Sequence, residues 1–359
     1  MDQRTNSTLF EKEAVSSAVI KLSVPTIISS LVMVIYNLAD TYFVGLLDDP
    51  VQTAAVTLAA PALLAFNAIN NLFGVGTSSA MSRLLGRGET EKVKECSAFG
   101  FYCALFCAGV FFVLTWIFLH PLVRLMGADA DNFAATCAYM KWAVAFGAVP
   151  SILNVVFAYL VRSEGNSMHA SIGTMSGCIL NMILDPFFIL PMGLNMGAAG
   201  AGLATFLSNC VACLYFLVLL YIKRRRTCVC IDIRRFSFQK SIIADIFGVG
   251  IPASIQNLLN VTGMTVFNNF ATAYGSEVVA AMGIVQKIQM VPLQITLGAT
   301  QGIMPFVGYN FASGNRNRMK EAVMYLLKRT ILLMLVVAAA GSLASGSLIG
   351  LFIKNRAVI

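Results

Sequence analysis

The chain has 359 residues, of which 58% are hydrophobic and 12% are charged, and it carries a formal net charge of +8 with a mean hydropathy of +0.77. A typical soluble domain has about 25% charged residues, so this composition excludes one and indicates a polytopic membrane protein. The apolar runs are long and continuous and lack the short alternating segments of a membrane β-barrel. We therefore predict an all-α fold.

Apolar stretches of about 20 residues or more predict transmembrane helices. In chain order, they give nine spans at residues 22–46, 53–82, 97–122, 133–161, 168–190, 198–222, 245–272, 279–310 and 325–353. Lys and Arg collect in cytoplasmic loops. Most of the 25 Lys and Arg residues fall in inner segments when the N-terminus is placed inside. We therefore predict a cytoplasmic N-terminus and assign the basic charge to topology and to membrane lipid head groups, with no nucleic-acid partner.

A weak internal repeat divides the chain. At an offset of 226 or 227 residues, the repeat pairs Pro25 with Pro252, Gly76 with Gly302, and Gly88 with Gly314. Six spans precede the second copy, so both copies have the same orientation and are related by an axis along the membrane normal. We predict an N-terminal lobe at 1–222, a basic cytoplasmic linker at 223–244, and a partial C-terminal lobe at 245–359.

The second copy holds three predicted spans against six in the first. If the repeat continued to the end of its sixth span, it would reach about residue 450. We therefore expect a truncated chain, and a genuine nine-helix protein is the alternative.

Two acidic residues, Asp40 and Asp185, lie deep inside predicted spans. A charge at the bilayer centre costs about 2.5 to 3.5 kcal/mol on insertion scales, so such residues usually mark functional sites. Asn181 lies one helical turn before Asp185 and shares its face. These oxygen ligands suit Na⁺ or a proton better than a soft metal. Most of the nine cysteines sit in or beside spans, where Cys acts as a small apolar residue, so we predict no metal site and no cofactor other than a coupling ion, Na⁺ or H⁺.

Several motifs resemble those of the multidrug and toxic compound extrusion (MATE) transporters, in the bacterial branch that includes the DinF-like and MepA-like exporters. The motifs are NLADTYFVG, SSAMSRLLGRGE, NMILDPFFI followed by GAAGAGLAT, SEVVAAMGIVQKI and GIMPFVGYNFASGNRNR. In order, they cover essentially the whole chain. The resemblance implies a MATE-type two-lobe bundle around a central cleft, with six helices in the N-terminal lobe and about three of six in the C-terminal lobe.

The resemblance implies a secondary active transporter of the bacterial cell (inner) membrane, not an enzyme, that exports drugs by antiport against Na⁺ or H⁺. It places a cation or proton site in the N-terminal lobe, formed by Asp40, Tyr139, Asn181, Asp185 and Thr205. Any Na⁺ would be held by Asp40, Asn181 and Asp185.

Many Met and Phe contacts and buried carboxylates favour amphiphilic, mostly cationic drugs as substrates. We predict that the substrate cavity includes Tyr36, Asn37, Asn154, Gln256 and Asn260, with an interhelical hydrogen bond as the alternative role for Asn154. Pro25 removes a backbone hydrogen bond from the first helix and is a candidate hinge, although proline is also tolerated in ordinary transmembrane helices. We expect the protein to act as a monomer.

Three alternatives remain at this stage. A lipid-linked oligosaccharide flippase of the same superfamily should carry cationic side chains in its cavity, whereas this chain offers carboxylates. An intramembrane aspartic protease would need Asp40 and Asp185 within about 3 Å of each other. The third alternative is an inactive truncated product.

Overall fold

In a computed structural model of the chain, residues 8–272 and 276–343 are described, and their regular structure is helical throughout. This confirms the predicted all-α class. The predicted end of the ninth span, at residue 353, lies outside the described residues.

The helices of the first half are α1 (Val15–Gly45), α2 (Pro50–Leu58), α3 (Ala60–Ile69), α4 (Gly76–Gly86), α5 (Thr90–Ile117), α6 (Leu119–Leu125), α7 (Phe133–Met140), α8 (Ala148–Ser163), α9 (Ser167–Ile189) and α10 (Ala198–Ile222). π-Helical segments join α3 to α4 at Asn70–Val75 and α7 to α8 at Lys141–Phe146. After a 3₁₀ turn at Ile233–Arg235 come α11 (Lys240–Thr272), α12 (Ser276–Ala312) and α13 (Arg316–Leu343).

Within the described ranges, 7 helical segments are long and apolar enough to cross a membrane, and the pair formed by α7 and α8, bent by 44°, makes up to 8. The predicted second span is the continuous segment Pro50–Gly86. The predicted eighth span lies inside α12, a single helix of 37 residues. Helix α5 begins at Thr90, seven positions before the predicted span, because its first two turns are polar and hydropathy marks only the apolar part.

The two halves approach each other closely at positions that the repeat pairs. A Cβ added to Gly76 on α4 would lie 2.5 Å from the carbonyl oxygen of Ile246 on α11, and one added to Gly302 on α12 would lie 2.7 Å from that of Leu22 on α1. Each half therefore packs an equivalent glycine against the first long helix of the other, and no larger residue fits there without backbone movement.

Polar contacts also join the halves at the end of the bundle that carries Arg87, the run 223–226 and Arg316, here called the basic end. Arg83 donates a 3.0 Å hydrogen bond to the Asp245 carbonyl and lies 3.3 Å from the Asp245 carboxylate. Ser23 on α1 donates to the carbonyl of Ala299 on α12 at 3.2 Å. Together with the glycine contacts, these bonds hold the basic end closed.

The basic linker is bound to the first half along α5. Ser97 both donates to the carbonyl of Cys230 (3.2 Å) and accepts from its N–H (3.1 Å). Tyr102 donates to the carbonyl of Ile231 at 2.8 Å. Phe236 stacks on Phe99 with ring centroids 5.6 Å apart. The linker is therefore a packed element of the first half.

One buried carboxylate, that of Glu164 after α8, holds the start of this linker. It accepts from the hydroxyl of Thr227 at 2.8 and 2.9 Å, from the N–H of Val229 at 2.7 Å and from the N–H of Cys228. Burial raises the pKa of Glu164, and the hydrogen bonds from these linker groups oppose the rise. A buried carboxylate with this many donors is a strong local constraint.

We expect Glu164→Ala to release the linker, because linker donors at Thr227, Cys228 and Val229 lose a shared acceptor. Each buried group left unsatisfied costs about 1 to 3 kcal/mol. The thermal midpoint should fall, and trypsin should cut faster at residues 224–226. Glu95→Ala is the matched control, because Glu95 also bonds the linker, through Gln239, but at an exposed position. Equal trypsin sensitivity in both variants would contradict this role.

Candidate functional site

The candidate site is built around Asp185 on α9, which is 0% exposed. In the amide orientation that satisfies both of its polar atoms, Asn181 donates to the two carboxylate oxygens of Asp185 at 2.8 and 3.3 Å and accepts from the N–H of Thr205 at 3.1 Å. In the opposite orientation, its nitrogen would lie 3.3 Å from the Thr205 hydroxyl. We adopt the first orientation, because a carboxylate is acceptor-only when ionised and needs the amide donor.

Asp40 completes the acidic pair from α1. Its side chain is half-buried, and its Oδ1 atom is buried without a hydrogen-bond partner among the described residues. The Asp40 carboxyl lies within electrostatic interaction range of Asp185. Tyr139, which is 4% exposed, and Tyr36 lie within the same range of both carboxyls. The structure therefore brings together all five residues predicted for the cation site, and Tyr36 with them.

The local sequence explains why these groups meet. Asn181 and Asp185 are four residues apart and lie on one face of α9. Helix α10 approaches α7 closely at Gly202, where an added Cβ would lie 3.0 Å from the Tyr139 carbonyl oxygen. Small residues permit such close helix packing in membranes. Thr205 is one turn beyond Gly202 and therefore lies beside Asn181.

Asn154 on α8 is buried, and its Nδ2 atom donates to Oδ1 of Asn209 on α10 at 3.2 Å. Asn209 in turn donates to the Thr205 carbonyl at 2.8 Å. Asn154 thus makes the interhelical hydrogen bond that was the alternative to a cavity-lining role. Our sequence reasoning missed Asn209, although its position four residues after Thr205 places it on the same face of α10.

The remaining predicted cavity residues lie on α1 and α11. Asn37, Gln256 and Asn260 have exposed side chains. Gln256 and Asn260 are one helical turn apart and share a face of α11. Pro25 lies inside α1 and is buried, three residues after Leu22, where α1 touches Gly302.

The described residues contain no group of three or more His, Cys, Asp and Glu side chains able to hold a metal ion. The oxygens of Asp40, Asp185 and Asn181 are hard ligands of the kind that a proton or an alkali cation accepts. The arrangement is therefore a buried acid pair, in which Asp185 is held by amide hydrogen bonds and an Asp40 oxygen is left without a partner.

Comparison with known proteins gives concordant results. The family model described as MatE matches residues 25–199 and 252–359. The two matches start 252 − 25 = 227 residues apart, which is the predicted repeat offset. The chain is 32% identical to the multidrug export protein MepA of Staphylococcus aureus over 352 residues, which are 98% of this chain and 76% of MepA.

Solved structures agree with this result. A MATE family multidrug resistance transporter in an outward-facing conformation has a TM-score of 0.90 and 30% identity, with 97% of this chain and 76% of the other covered. MATE in complex with MaD3S has a TM-score of 0.92 and 29% identity, with 99% of this chain and 79% of the other covered.

Proposed function

Because the chain belongs to the MatE family of membrane transporters, we propose that it exports drugs and toxic compounds by antiport against H⁺ or Na⁺. Its similarity to the multidrug export protein MepA supports drug export. The observation that carries the coupling proposal is the wholly buried Asp185, hydrogen-bonded to Asn181 and within electrostatic range of Asp40. Two carboxyls this close cannot both ionise without cost, so the site favours a bound cation.

The coupling follows from linkage. A cation that binds at Asp40 and Asp185 relieves the repulsion between them and favours a lobe shape with low drug affinity. The effect is reciprocal at equilibrium, so bound drug must weaken cation binding by the same factor. Of the side chains present, Asp40, Asn181 and Asp185 would hold a Na⁺ ion, whereas a proton would reside on a carboxyl.

The proposed substrates are amphiphilic organic cations. The exposed amides of Asn37, Gln256 and Asn260 are costly against lipid and suit a polar cleft between the halves. Tyr36 would place an aromatic ring beside the carboxyls, where a drug cation is attracted to the ring face. In this proposal, Asn154 supports the cavity wall through Asn209.

We place the transporter in the bacterial cell membrane as a monomer, with a cytoplasmic N-terminus and lipid head groups around its basic end. Pro25 remains our candidate hinge, because it lies beside the contact of α1 with Gly302 and leaves one helical hydrogen bond unmade. Undiminished drug efflux by Pro25→Ala would remove this role.

The flippase alternative is less well supported by the side chains. A flippase for a phosphate-linked lipid needs cations in its cavity, but among the described residues the buried Lys or Arg is Arg162. Arg162 lies near the basic end and donates to Gln301 at 3.3 Å. As a transporter of this family, the chain is not a protease.

The test is efflux of ethidium from cells that express wild type or Asp40→Asn at matched levels, with Na⁺ present or absent. We expect wild type to lower cellular ethidium and Asp40→Asn to lose most of this export, because an amide cannot take up a proton. Dependence of the wild type on Na⁺ would identify Na⁺ as the coupling ion. Undiminished export by Asp40→Asn would contradict the proposed coupling.

A further inference from the structure

One face of α9 carries a continuous row of polar side chains, here called the α9 polar lane. It consists of Ser167, Ser171, Thr174, Cys178, Asn181 and Asp185. At 100° per residue, these side chains fall within an arc of about 80° on an ideal helix, and the lane is about 27 Å long. The exposed residues Ile172, Ile179 and Ile183 lie on the other side of the helix. The lane therefore faces the protein interior.

The lane is buried for most of its length. Ser167 is 1% exposed, Ser171 is 0%, Asn181 is 2% and Asp185 is 0%. The lane begins at the basic end, where α9 starts at Ser167, and it ends at the carboxyl of Asp185. It thus connects the candidate cation site with the side of the membrane that we assign to the cytoplasm.

Two hydroxyls in the lane have no hydrogen-bond partner within the described ranges, namely those of Ser167 and Ser171. A buried hydroxyl without a partner costs free energy, and a helical serine can usually bond to the carbonyl one turn earlier. By contrast, Ser176 on the opposite face does bond to its own helix, at the Gly173 carbonyl (2.7 Å). The two free hydroxyls are therefore available to water or to a passing proton.

Neighbouring groups already link parts of the lane. Thr174 shares a 2.6 Å hydrogen bond with Ser29 on α1, and Asn181 donates to Asp185 at 2.8 Å. Successive lane residues are three or four positions apart, which corresponds to about 4.5 to 6 Å along the helix axis. A single bridging water can connect oxygens at such a spacing.

We propose that the α9 polar lane conducts protons between Asp185 and the basic end of the protein. The proposal rests on the proposed function, since it supplies the inner exit for the coupling ion. The O–H bond of protonated Asp185 breaks, its electron pair stays on the carboxylate, and the proton passes to a water oxygen. Each oxygen along the lane accepts one proton and releases another, and cytoplasmic water accepts the last.

The lane fits a proton and does not fit Na⁺. Each level offers one hydroxyl, thiol or amide, whereas hard cations gather several oxygen ligands around them. A proton needs only one acceptor at a time, and a hydroxyl can both donate and accept. The lane therefore commits the coupling ion to H⁺.

The test uses the full chain in liposomes, with internal pyranine to follow proton flux driven by an ethidium gradient. We expect Ser171→Ala to lower the maximal proton flux about fivefold, as the loss of one hydrogen-bonding group predicts. Its ethidium Kd should not change, and its rate ratio between H₂O and D₂O should rise. Ser171→Thr, which keeps the hydroxyl, should retain the flux, and Ser176→Ala should behave as wild type.

Wild-type flux and isotope ratio in Ser171→Ala would overturn the lane, and so would an equal loss in Ser176→Ala. A flux that requires Na⁺ and leaves internal pH unchanged would also overturn it. The two proposals separate through Asp185→Asn. If that variant loses drug transport while Ser171→Ala does not change the flux, the lane is wrong and the coupling site stands. If Asp185→Asn transports normally, the coupling site fails and takes the lane with it.

Discussion

Asp185→Asn is expected to abolish coupled drug export while leaving the fold intact. The substitution keeps the shape of the side chain but removes the only group at this position that can take up and release a proton. Asp185 is 0% exposed and accepts the Asn181 amide at 2.8 Å. Loss of a charged, hydrogen-bonded partner is worth about 1.5 to 3 kcal/mol, so we expect the initial rate of ethidium efflux to fall about 10- to 100-fold.

The matched control is Asp129→Asn, since Asp129 is an exposed acid outside the membrane helices. Both variants should reach wild-type amounts in the membrane and elute as single species after purification. Only Asp185→Asn should lose efflux. Equal efflux by both variants would remove Asp185 from the mechanism.

Gly302→Leu is expected to separate the halves at the basic end. A Cβ at this position would lie 2.7 Å from both the carbonyl oxygen of Leu22 and the Cα of Ser23, which are backbone atoms and cannot rotate away. Overpacking typically costs about 1 to 3 kcal/mol, so the closed arrangement should lose about 5- to 150-fold in population relative to open ones. Hydrogen exchange should quicken in α1 around Leu22 and in α12 around Gly302, and drug efflux should fall.

Gly248→Leu is the control for this substitution. Gly248 is helical, lies on α11, and has no atom within 4 Å of a Cβ built on it. It should exchange and transport as wild type does. If Gly302→Leu leaves both hydrogen exchange and efflux unchanged, the contact between α1 and α12 does not hold the basic end closed.

The sequence predicts the acid pair well because intramembrane charges are rare and costly. Asp40 and Asp185 stand out by position alone, and the spacing of Asn181 and Asp185 determines a shared helix face. That Thr205 and Tyr139 join them was implied by family resemblance. Their contacts depend on the packing of α10 against α7 and α9, which local sequence patterns do not determine.

Other features require the three-dimensional structure. The residues 223–244 were interpreted as a linker from their charge, but their docking depends on Glu164, Ser97 and Phe99, far away in sequence. Hydropathy likewise does not detect the π-helical segment Lys141–Phe146 or the 44° bend between α7 and α8. The paired glycines were visible in the repeat, but their role in close contact between the halves was not.

The central claim is that a cation gradient drives drug export through the buried acid pair. The most direct measurement is ethidium movement in proteoliposomes under an imposed pH or Na⁺ gradient. We predict that wild type moves ethidium against its concentration gradient, that collapse of the driving ion gradient stops this movement, and that Asp185→Asn does not show it. Wild-type movement only down the ethidium gradient, unaffected by either ion gradient, would contradict the account.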